Sequence, residues 1–353
     1  MKKYLLNFLK LAVSLGIGIG IVYWFVGQMS DTEKQEVLAD IKRADYLWVI
    51  LPVVVGLVSN YFRSQRWRLL LKPLGYNPGI FNTFFSVMIM YFLNLFFPRL
   101  GEVSRCGVLS RYENVPLDKA IGTMVLERLV DVLCLGIILL ILIGTQAEKF
   151  WLLKDEIAKI SQGAAAKYQI SDSVKYGVIF AVLVIVIAFL AFRLRKQGPT
   201  SLIADFKERA MGLIRGIISI KDIGSPWEFV FHTVMIWVCY LLMGYLGFFM
   251  FPETSNLPFV TALMGLAFGA VAFSITPGGL GLYPFFMKLV LVIYLVPGKG
   301  VIASDAITSA ATSYGWVSWS AQTASVLIGG ALSLLLLAIF NREPSLSEVS
   351  PKT

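Results

Sequence analysis

The chain has 353 residues, of which 57% are hydrophobic and 15% are charged, and its formal net charge is +9. Ordinary soluble domains carry about 25% charged residues, and the mean hydropathy here is +0.74. The single histidine, His232, is interpreted as a polar residue near a helix start rather than as a metal ligand. The three cysteines fit no disulfide or metal spacing, and no phosphate-binding P-loop occurs. The sequence therefore predicts an integral membrane protein with no cofactor and no nucleic-acid partner.

Six apolar segments are long enough to cross a bilayer, which takes about 20 mostly apolar residues in a helix. They are 5–27, 46–62, 120–146, 174–192, 229–251 and 316–340. The first is predicted to be a retained span, because its apolar part is too long for a signal peptide and no cleavage site follows it.

Two pairs of shorter segments lie between these spans. Segments 81–97 and 100–112 are joined by "PRLGE" at 98–102, and segments 258–275 and 280–296 are joined by "TPGGLG" at 276–281. The piece 100–112 is too short and too charged to cross the bilayer. We therefore predict a re-entrant helical hairpin whose tip is "PRLG".

The loops richest in Lys and Arg set the orientation, because such loops stay cytoplasmic. The basic residues of 63–72 and of 193–228 place both loops inside, with both chain termini cytoplasmic. A full crossing by 81–98 would put 193–228 outside. Two interpretations of the second break stay open: a re-entrant hairpin, and a loop that joins two full spans.

Each half then reads as span, span, hairpin and span, starting from opposite sides. This order predicts an all-α polytopic membrane protein with an inverted-topology repeat, whose binding site lies where the broken helices meet. The single transmembrane domain is 1–340, with halves at about 5–146 and 174–340. The loop 193–228 is predicted to carry an amphipathic helix, either on the leaflet or packed on the bundle. The tail 341–353 is expected to be disordered.

Charged residues at membrane depth are the main candidates for a functional site. They are Arg99, Glu102, Arg105, Glu127, Arg128 and Asp131. Six unpaired charges would cost on the order of 15–20 kcal/mol, more than the whole stability of a typical domain. They must therefore be paired or hydrated, and spacings of three or four residues put them on shared helix faces. Two charged faces are expected to meet inside the bundle.

These charges admit two interpretations, which are compatible. They form a neutralised network that pins the hairpin, or they line a hydrated cavity whose arginines bind a phosphate through paired hydrogen bonds. The half-helix that begins near Gly101 would add N–H groups that favour an anion. The glycines of the second break are either a simple turn or a close approach to a ligand; they are Gly278, Gly279 and Gly281. Lys288 either reaches the surface or partners an anion from the second half.

These residues carry a resemblance to a known family. The motifs that carry it are Asn94, Pro98, Arg99, Gly101, Glu102 and Arg105, then Glu127, Arg128 and Asp131, then "PGGLG". With these motifs the sequence resembles the lysylphosphatidylglycerol synthase/flippase-like transmembrane family over about residues 5–340. The resemblance implies a protein that moves lipids between leaflets. This sequence has no synthase domain after the spans, and it reads Leu282-Tyr283-Pro284 where family members often carry a Glu. A different cargo is therefore expected.

The predicted function is a flippase-like transporter in a bacterial inner membrane, for an amphiphile with an anionic, phosphate-bearing headgroup. Its partners would be membrane lipids and a separate lipid-modifying synthase, and oligomerisation stays open. Two alternatives remain. One is a membrane-embedded enzyme that uses Glu102, Glu127 or Asp131 as acid or base. The other is a scaffold for a synthase that transports nothing.

Overall fold

The computed structural model describes residues 31–96, 100–167, 224–296 and 305–341. The predicted spans 5–27 and 174–192, most of the loop 193–228 and nearly all of the tail lie outside these ranges. The chain divides into two compact units, Met1–Leu142 with Ile223–Thr353, and Ile143–Asp222. All contacts described below belong to the first unit. In the second, the described residues 143–167 are helical except at Gln146.

All regular secondary structure in the described ranges is helical. The helices are α1 (Asp31–Arg43), α2 (Tyr46–Leu71), α3 (Ile80–Asn94), α4 (Leu100–Tyr112), α5 (Leu117–Lys167), α6 (Pro226–Gly247), α7 (Phe259–Ile275), α8 (Leu282–Leu295) and α9 (Asp305–Phe340). Short 3₁₀ turns lie at Lys72–Leu74, Phe248–Met250 and Pro277–Gly279. From α2 onward, the order long, short, short, long occurs twice, as predicted for two halves built alike.

Three helices in the described ranges are long and apolar enough to cross a membrane. They are Tyr46–Leu74, Pro226–Met250 and Ile307–Phe340, and they cover three of the predicted spans, 46–62, 229–251 and 316–340. The predicted span 120–146 falls on α5, whose helical dihedrals are broken at Gln146. The total of six crossings and the re-entrant character of the short pairs stay predictions.

The stretch 63–72, which is predicted to be a loop, is helical up to Leu71, because α2 continues to that residue. Asp45 caps the start of this helix by accepting a hydrogen bond from the Leu47 N–H at 3.0 Å. No glycine or proline follows Gly56 until Pro73, so nothing in that stretch ends the helix. The longer helix brings Arg63 and Arg66 into the bundle, where both are buried.

Helices α2 and α6 run antiparallel along each other. At one end, the N–H of Asp45 donates to the carbonyl of Met250 at 3.1 Å. At the other end, Arg66 Nη1 reaches Thr233 Oγ1 at 3.5 Å. Among the short helices, α3 packs on α2 and α7 packs on α6.

Helix α3 begins beside the end of α9 and ends beside its middle. Asn82 and Asn341 exchange amide hydrogen bonds of 3.0 and 2.9 Å near the start of α3. Further along, Met88 and Phe92 pack directly on Gly329 and Gly330, where a Cβ would have no room. Helix α4 then returns, because Tyr112 packs with Phe85 and Leu337 near the same end.

The second short pair reaches the middle of α9 from the opposite end. Phe259, at the start of α7, packs on Tyr245 near the end of α6, with ring centroids 5.3 Å apart. After the turn, the Cα of Pro284 in α8 lies 2.8 Å from the position of a Cβ on Gly315. Trp319 Nε1 in α9 donates to the carbonyl of Gly278 at 2.9 Å.

The two breaks are in contact with each other. A Cβ on Gly278 would lie 2.6 Å from Leu95 Cδ2, and Leu95 directly follows the end of α3. Both breaks therefore lie beside the middle of α9, which is a helix of 36 residues.

Gly101 is expected to control the closure of the α3–α4 pair. In Gly101→Ala, the added methyl group would overlap the Met90 carbonyl and lie 2.7 Å from Asn94 Oδ1. We expect overpacking to destabilise the protein by about 1–3 kcal/mol, measured as a lower midpoint of unfolding in detergent. Gly107→Ala, in the same helix with no atom within 4 Å of its Cβ, is the control and should unfold no earlier than wild type. Equal midpoints for the two variants would contradict this assignment.

Candidate functional site

Seven charged side chains from three helices meet inside the first unit, and we call them the ionic cluster. They are Arg63 and Arg66 of α2, Glu102 and Arg105 of α4, and Glu127, Arg128 and Asp131 of α5. Arg63 and Arg66 are three residues apart on α2, and Glu127 and Asp131 are four residues apart on α5, so each pair lies on one face of its helix. These two faces meet in ion pairs. The cluster ties the first short pair to α2.

Glu127 holds the most deeply buried part of the ionic cluster. Its carboxylate accepts a hydrogen bond from Arg105 Nη2 at 2.5 Å and one from Arg66 Nε at 3.4 Å. All three side chains are fully buried. The carboxylate thus compensates two arginines that come from different helices.

Asp131, one turn further along α5, compensates two arginines of α2. Its two oxygens accept from Arg63 Nη1 at 3.0 Å and from Arg66 Nη2 at 2.8 Å. Arg66 therefore bridges both carboxylates of α5, and its guanidinium group also lies over the Phe229 ring at 5.9 Å.

Arg128 is the arginine of the ionic cluster that is most open to its surroundings, with 35% of its side chain exposed. Its ion pairs are long, at 3.6 Å to Glu102 Oε1 and 3.5 Å to Asp131 Oδ2. Among the described residues, neither Nε nor Nη2 of Arg128 has a hydrogen-bond partner, and both nitrogens are buried. These two donors are therefore unsatisfied, although part of the side chain is exposed.

The ionic cluster carries more positive than negative charge. Four arginines face three carboxylates, which leaves an excess of +1 among the described residues. Within the part of the chain that the structure describes, Arg105 has no hydrogen-bond partner at Nε or Nη1, and its guanidinium group stacks over the Trp67 ring at 4.3 Å. A buried donor without an acceptor is unfavourable by about 1–3 kcal/mol, so the cluster is short of one anion.

Two partly buried tyrosines connect the ionic cluster to the second half of the chain. Arg63 Nη2 donates to the Tyr240 hydroxyl of α6 at 2.9 Å. That hydroxyl is 3.1 Å from the Tyr91 hydroxyl of α3, one turn before the first break. The network thus runs from the carboxylates of α5 to the point where the two broken helices meet.

The charged faces of α4 and α5 meet, as the spacing predicts, through Arg105 with Glu127 and Arg128 with Glu102. Arg99 lies outside the described residues. Sequence reasoning missed Arg63 and Arg66, which it placed in a loop. The signal that could have found them is their alignment with Gly56, Ser59 and Asn60 at helical spacing.

The predicted site residues at the breaks make contacts within the protein. Asn94 Oδ1 accepts the Gly101 N–H at 3.0 Å, so one N-terminal donor of α4 is already used. The glycines 278, 279 and 281 all have positive φ, which favours glycine in this turn. The Gly279 N–H donates to the Thr276 carbonyl at 3.1 Å, as in a simple turn. Lys288 takes part in no ion pair of the described residues.

This arrangement defines a helical membrane protein with an arginine-rich ionic cluster enclosed by its bundle. The family model for the lysylphosphatidylglycerol synthase TM region matches residues 7–315. The chain therefore belongs to this family, and the resemblance noted from its motifs is confirmed.

Two relatives illustrate the range of similar proteins. The UPF0104 membrane protein MJ1595 of Methanocaldococcus jannaschii is 33% identical over 87 residues, 24% of this chain and 26% of the relative. Glycosyltransferase AglD of Haloferax volcanii is 22% identical over 341 residues, 87% of this chain and 51% of the relative. The matches thus span about a quarter and a half of these relatives. No solved structure matches this chain.

Glu127 is expected to be essential for stability. Glu127→Gln would leave Arg66 and Arg105 without their shared carboxylate, and breaking a buried ion pair from one side costs about 3–5 kcal/mol. We expect a loss of this size in denaturant titrations of the detergent-solubilised protein. Asp118→Asn, an exposed change of the same kind on α5, should stay within about 0.5 kcal/mol of wild type. A similarly small effect of Glu127→Gln would show that the ionic cluster does not hold the helices together.

Proposed function

We propose that the protein is a lipid translocase that binds a phosphate-bearing headgroup at the ionic cluster and moves it between leaflets. The observation that carries this proposal is the excess positive charge inside the bundle, together with unpartnered guanidinium nitrogens on Arg105 and Arg128. A phosphate supplies the missing anion and the missing hydrogen-bond acceptors at once. Its acyl chains would stay in the lipid beside the short helix pairs.

Binding at Arg128 fits the way in which arginine recognises phosphate. The guanidinium plane donates two parallel hydrogen bonds to phosphate oxygens, and such charge-assisted bonds are about twice as strong as neutral ones. Glu102 and Asp131 flank Arg128 at distances above 3.4 Å, so they orient it without occupying its donors. Arg99 of the neighbouring break belongs to the proposed site on the basis of sequence alone.

The lengths of the short helices support re-entrant hairpins. At 1.5 Å per residue, the 15 residues of α3 and the 13 of α4 span only about 22 and 20 Å. The 17 residues of α7 and the 14 of α8 span about 26 and 21 Å. The hydrocarbon core is about 30 Å thick, so none of these helices is long enough to cross it upright, and each pair would turn back before it reaches the far side. The contact between Gly278 and Leu95 places the two turns together.

Two hairpins that enter from opposite ends fit an inverted repeat with alternating access. In such transporters the two halves rock around a binding site near the midplane. The basic residues Arg68, Lys72, Arg111 and Lys119 lie at the end of the bundle nearer the ionic cluster. This end would be cytoplasmic by the positive-inside rule, in the inner membrane of a bacterium and with both termini inside.

The relatives keep an enzymatic alternative open. One relative is named as a glycosyltransferase, and the family itself is named after a synthase. This alternative has two forms. Either a separate lipid-modifying enzyme acts as the partner of this protein, or Glu102 itself serves as an acid or base on a lipid-linked substrate. The three carboxylates of the ionic cluster are all engaged by arginines, which favours a binding role over proton transfer.

Arg128 is expected to control lipid movement. Losing a charge-assisted hydrogen bond costs about 1.5–3 kcal/mol, so we expect Arg128→Gln to slow flipping by about tenfold or more. The measurement is dithionite quenching of tail-labelled phosphatidylglycerol in proteoliposomes. Arg68→Gln is the control, since Arg68 bonds Pro78 and Gln65 outside the cluster. The proposal fails if the two variants flip this lipid equally fast, or if wild type matches protein-free vesicles.

The enzymatic alternative predicts a different outcome. Mass spectrometry of whole-cell lipids from a Glu102→Gln strain would show a missing lipid species if the protein is an enzyme. A translocase variant would leave every species present and change only the leaflet in which one accumulates. Loss of a species would replace the transport proposal with the enzymatic one.

A further inference from the structure

The polar face of α2 continues beyond the ionic cluster toward the middle of the bundle. Gly56, Ser59 and Asn60 precede Arg63 at spacings of three or four residues, so all four lie on one side of the helix. Ser59 is 1% exposed and Gly56 is buried. Polar side chains within a transmembrane helix are unfavourable and typically functional, yet the ionic cluster does not use these residues.

The hydrogen-bonding groups on this face are poorly satisfied within the protein. The Ser59 hydroxyl is buried and has no hydrogen-bond partner among the described residues. Within the same ranges, the partner of Asn60 Nδ2 is the thioether sulfur of Met88, at 3.4 Å, and sulfur is a weak acceptor. Each unsatisfied group is unfavourable by about 1–3 kcal/mol, so an external partner would remove a real penalty.

Gln322 of α9 faces the same place. Its Oε1 lies 3.1 Å from the position of a Cβ on Gly56, so the missing side chain of Gly56 lets the amide approach α2. No hydrogen bond within the described ranges involves the Gln322 side chain. The Gln322 amide therefore lies beside Gly56, about one turn of α2 before Ser59 and Asn60, where the other neighbours are Met88 and Met243.

This region lies at the level of the two helix breaks. Gln322 is one turn from Trp319, whose indole N–H holds the carbonyl of Gly278. Gly56 is seven residues before Arg63, which is about 10 Å along the helix axis. The polar groups therefore stand between the ionic cluster and the end of the bundle where α2 begins.

We propose that Ser59, Asn60 and Gln322 form an uncharged binding site for the headgroup halfway along its route. This inference rests on the proposed lipid translocation. A second set of arginines at this point would hold a phosphate too strongly to release it. Amide and hydroxyl groups can replace water around a phosphate or a hydroxyl group without adding charge, so a headgroup that leaves the ionic cluster can pass through.

The test separates binding at the ionic cluster from passage through the middle. Binding is measured by calorimetry with dioctanoyl phosphatidylglycerol in detergent, and passage by flipping of tail-labelled phosphatidylglycerol in proteoliposomes. We expect Asn60→Leu and Gln322→Leu to bind within about twofold of wild type but to flip about tenfold more slowly, since each loses one hydrogen bond to the passing headgroup. Gln322→Met, which keeps the side-chain length, serves as the variant least disruptive to folding.

The matched control is Gln65→Leu, the same change on α2 at a residue that bonds only Ser64 and Arg68 of its own helix. It should bind and flip like wild type. If Asn60→Leu and Gln322→Met flip at the wild-type rate while Arg128→Gln is slow, the halfway site is refuted and the translocase stands. If the amide variants also lose binding, the amides belong to the first site and no separate one exists. If wild type neither binds nor flips, the proposed function itself fails.

Discussion

The ion pairs that Glu127 and Asp131 make with arginines of α2 and α4 are the interactions on which the rest of the bundle depends. Guanidinium groups are excluded from lipid unless they are paired, and here each of the two carboxylates serves two buried arginines. Because these arginines come from different helices, their neutralisation also fixes how α2, α4 and α5 pack. A purely apolar bundle would not need this arrangement, and replacing buried ion pairs with apolar residues is often neutral or stabilising.

The incomplete neutralisation gives the ionic cluster its functional interest. A structural network would be expected to balance its charges and satisfy its donors, as Glu127 does for Arg66. Arg128 departs from this pattern, since it is one-third exposed, makes only long ion pairs and keeps two nitrogens without hydrogen bonds. The tyrosine pair at 91 and 240 extends the same network toward the two breaks. The proposed anion-binding role and the stabilising role therefore involve the same residues.

The two helix breaks determine where a bound group could move. Each break follows a short helix, and glycines with positive φ form the second one. The two breaks touch beside the middle of α9. The ionic cluster lies to one side of this contact, whereas the Ser59 hydroxyl and the amides of Asn60 and Gln322 lie at the level of the breaks. Irregular backbone at membrane depth is tolerated only where protein or a water-filled cavity surrounds it. One face of α2 thus carries a continuous row of polar residues from Ser59 to Arg66.

Much of this organisation could be predicted from the sequence, for identifiable reasons. Proline and glycine mark both breaks, and charges spaced by three or four residues predict that α4 and α5 face each other. The assignment of Arg63 and Arg66 failed because a rule that counts basic residues in loops assumes that they lie outside the span. Helix α2 has no terminator before Pro73, and the polar face of Gly56, Ser59 and Asn60, one turn or two before Arg63, is the sequence signal that its arginines point inward. The bond from Gly101 to Asn94, by contrast, depends on a close approach of two backbones that no spacing reveals.

The most direct measurement of the central claim is the position of a phosphate relative to the ionic cluster. Electron cryo-microscopy of the protein in nanodiscs containing phosphatidylglycerol would locate it. The account predicts headgroup density within about 3 Å of the Arg128 guanidinium group, the distance of a charge-assisted hydrogen bond, with acyl chains extending between the short helix pairs. A closed ionic cluster, with every ordered headgroup at the membrane surface and Arg128 turned onto a carboxylate, would contradict it.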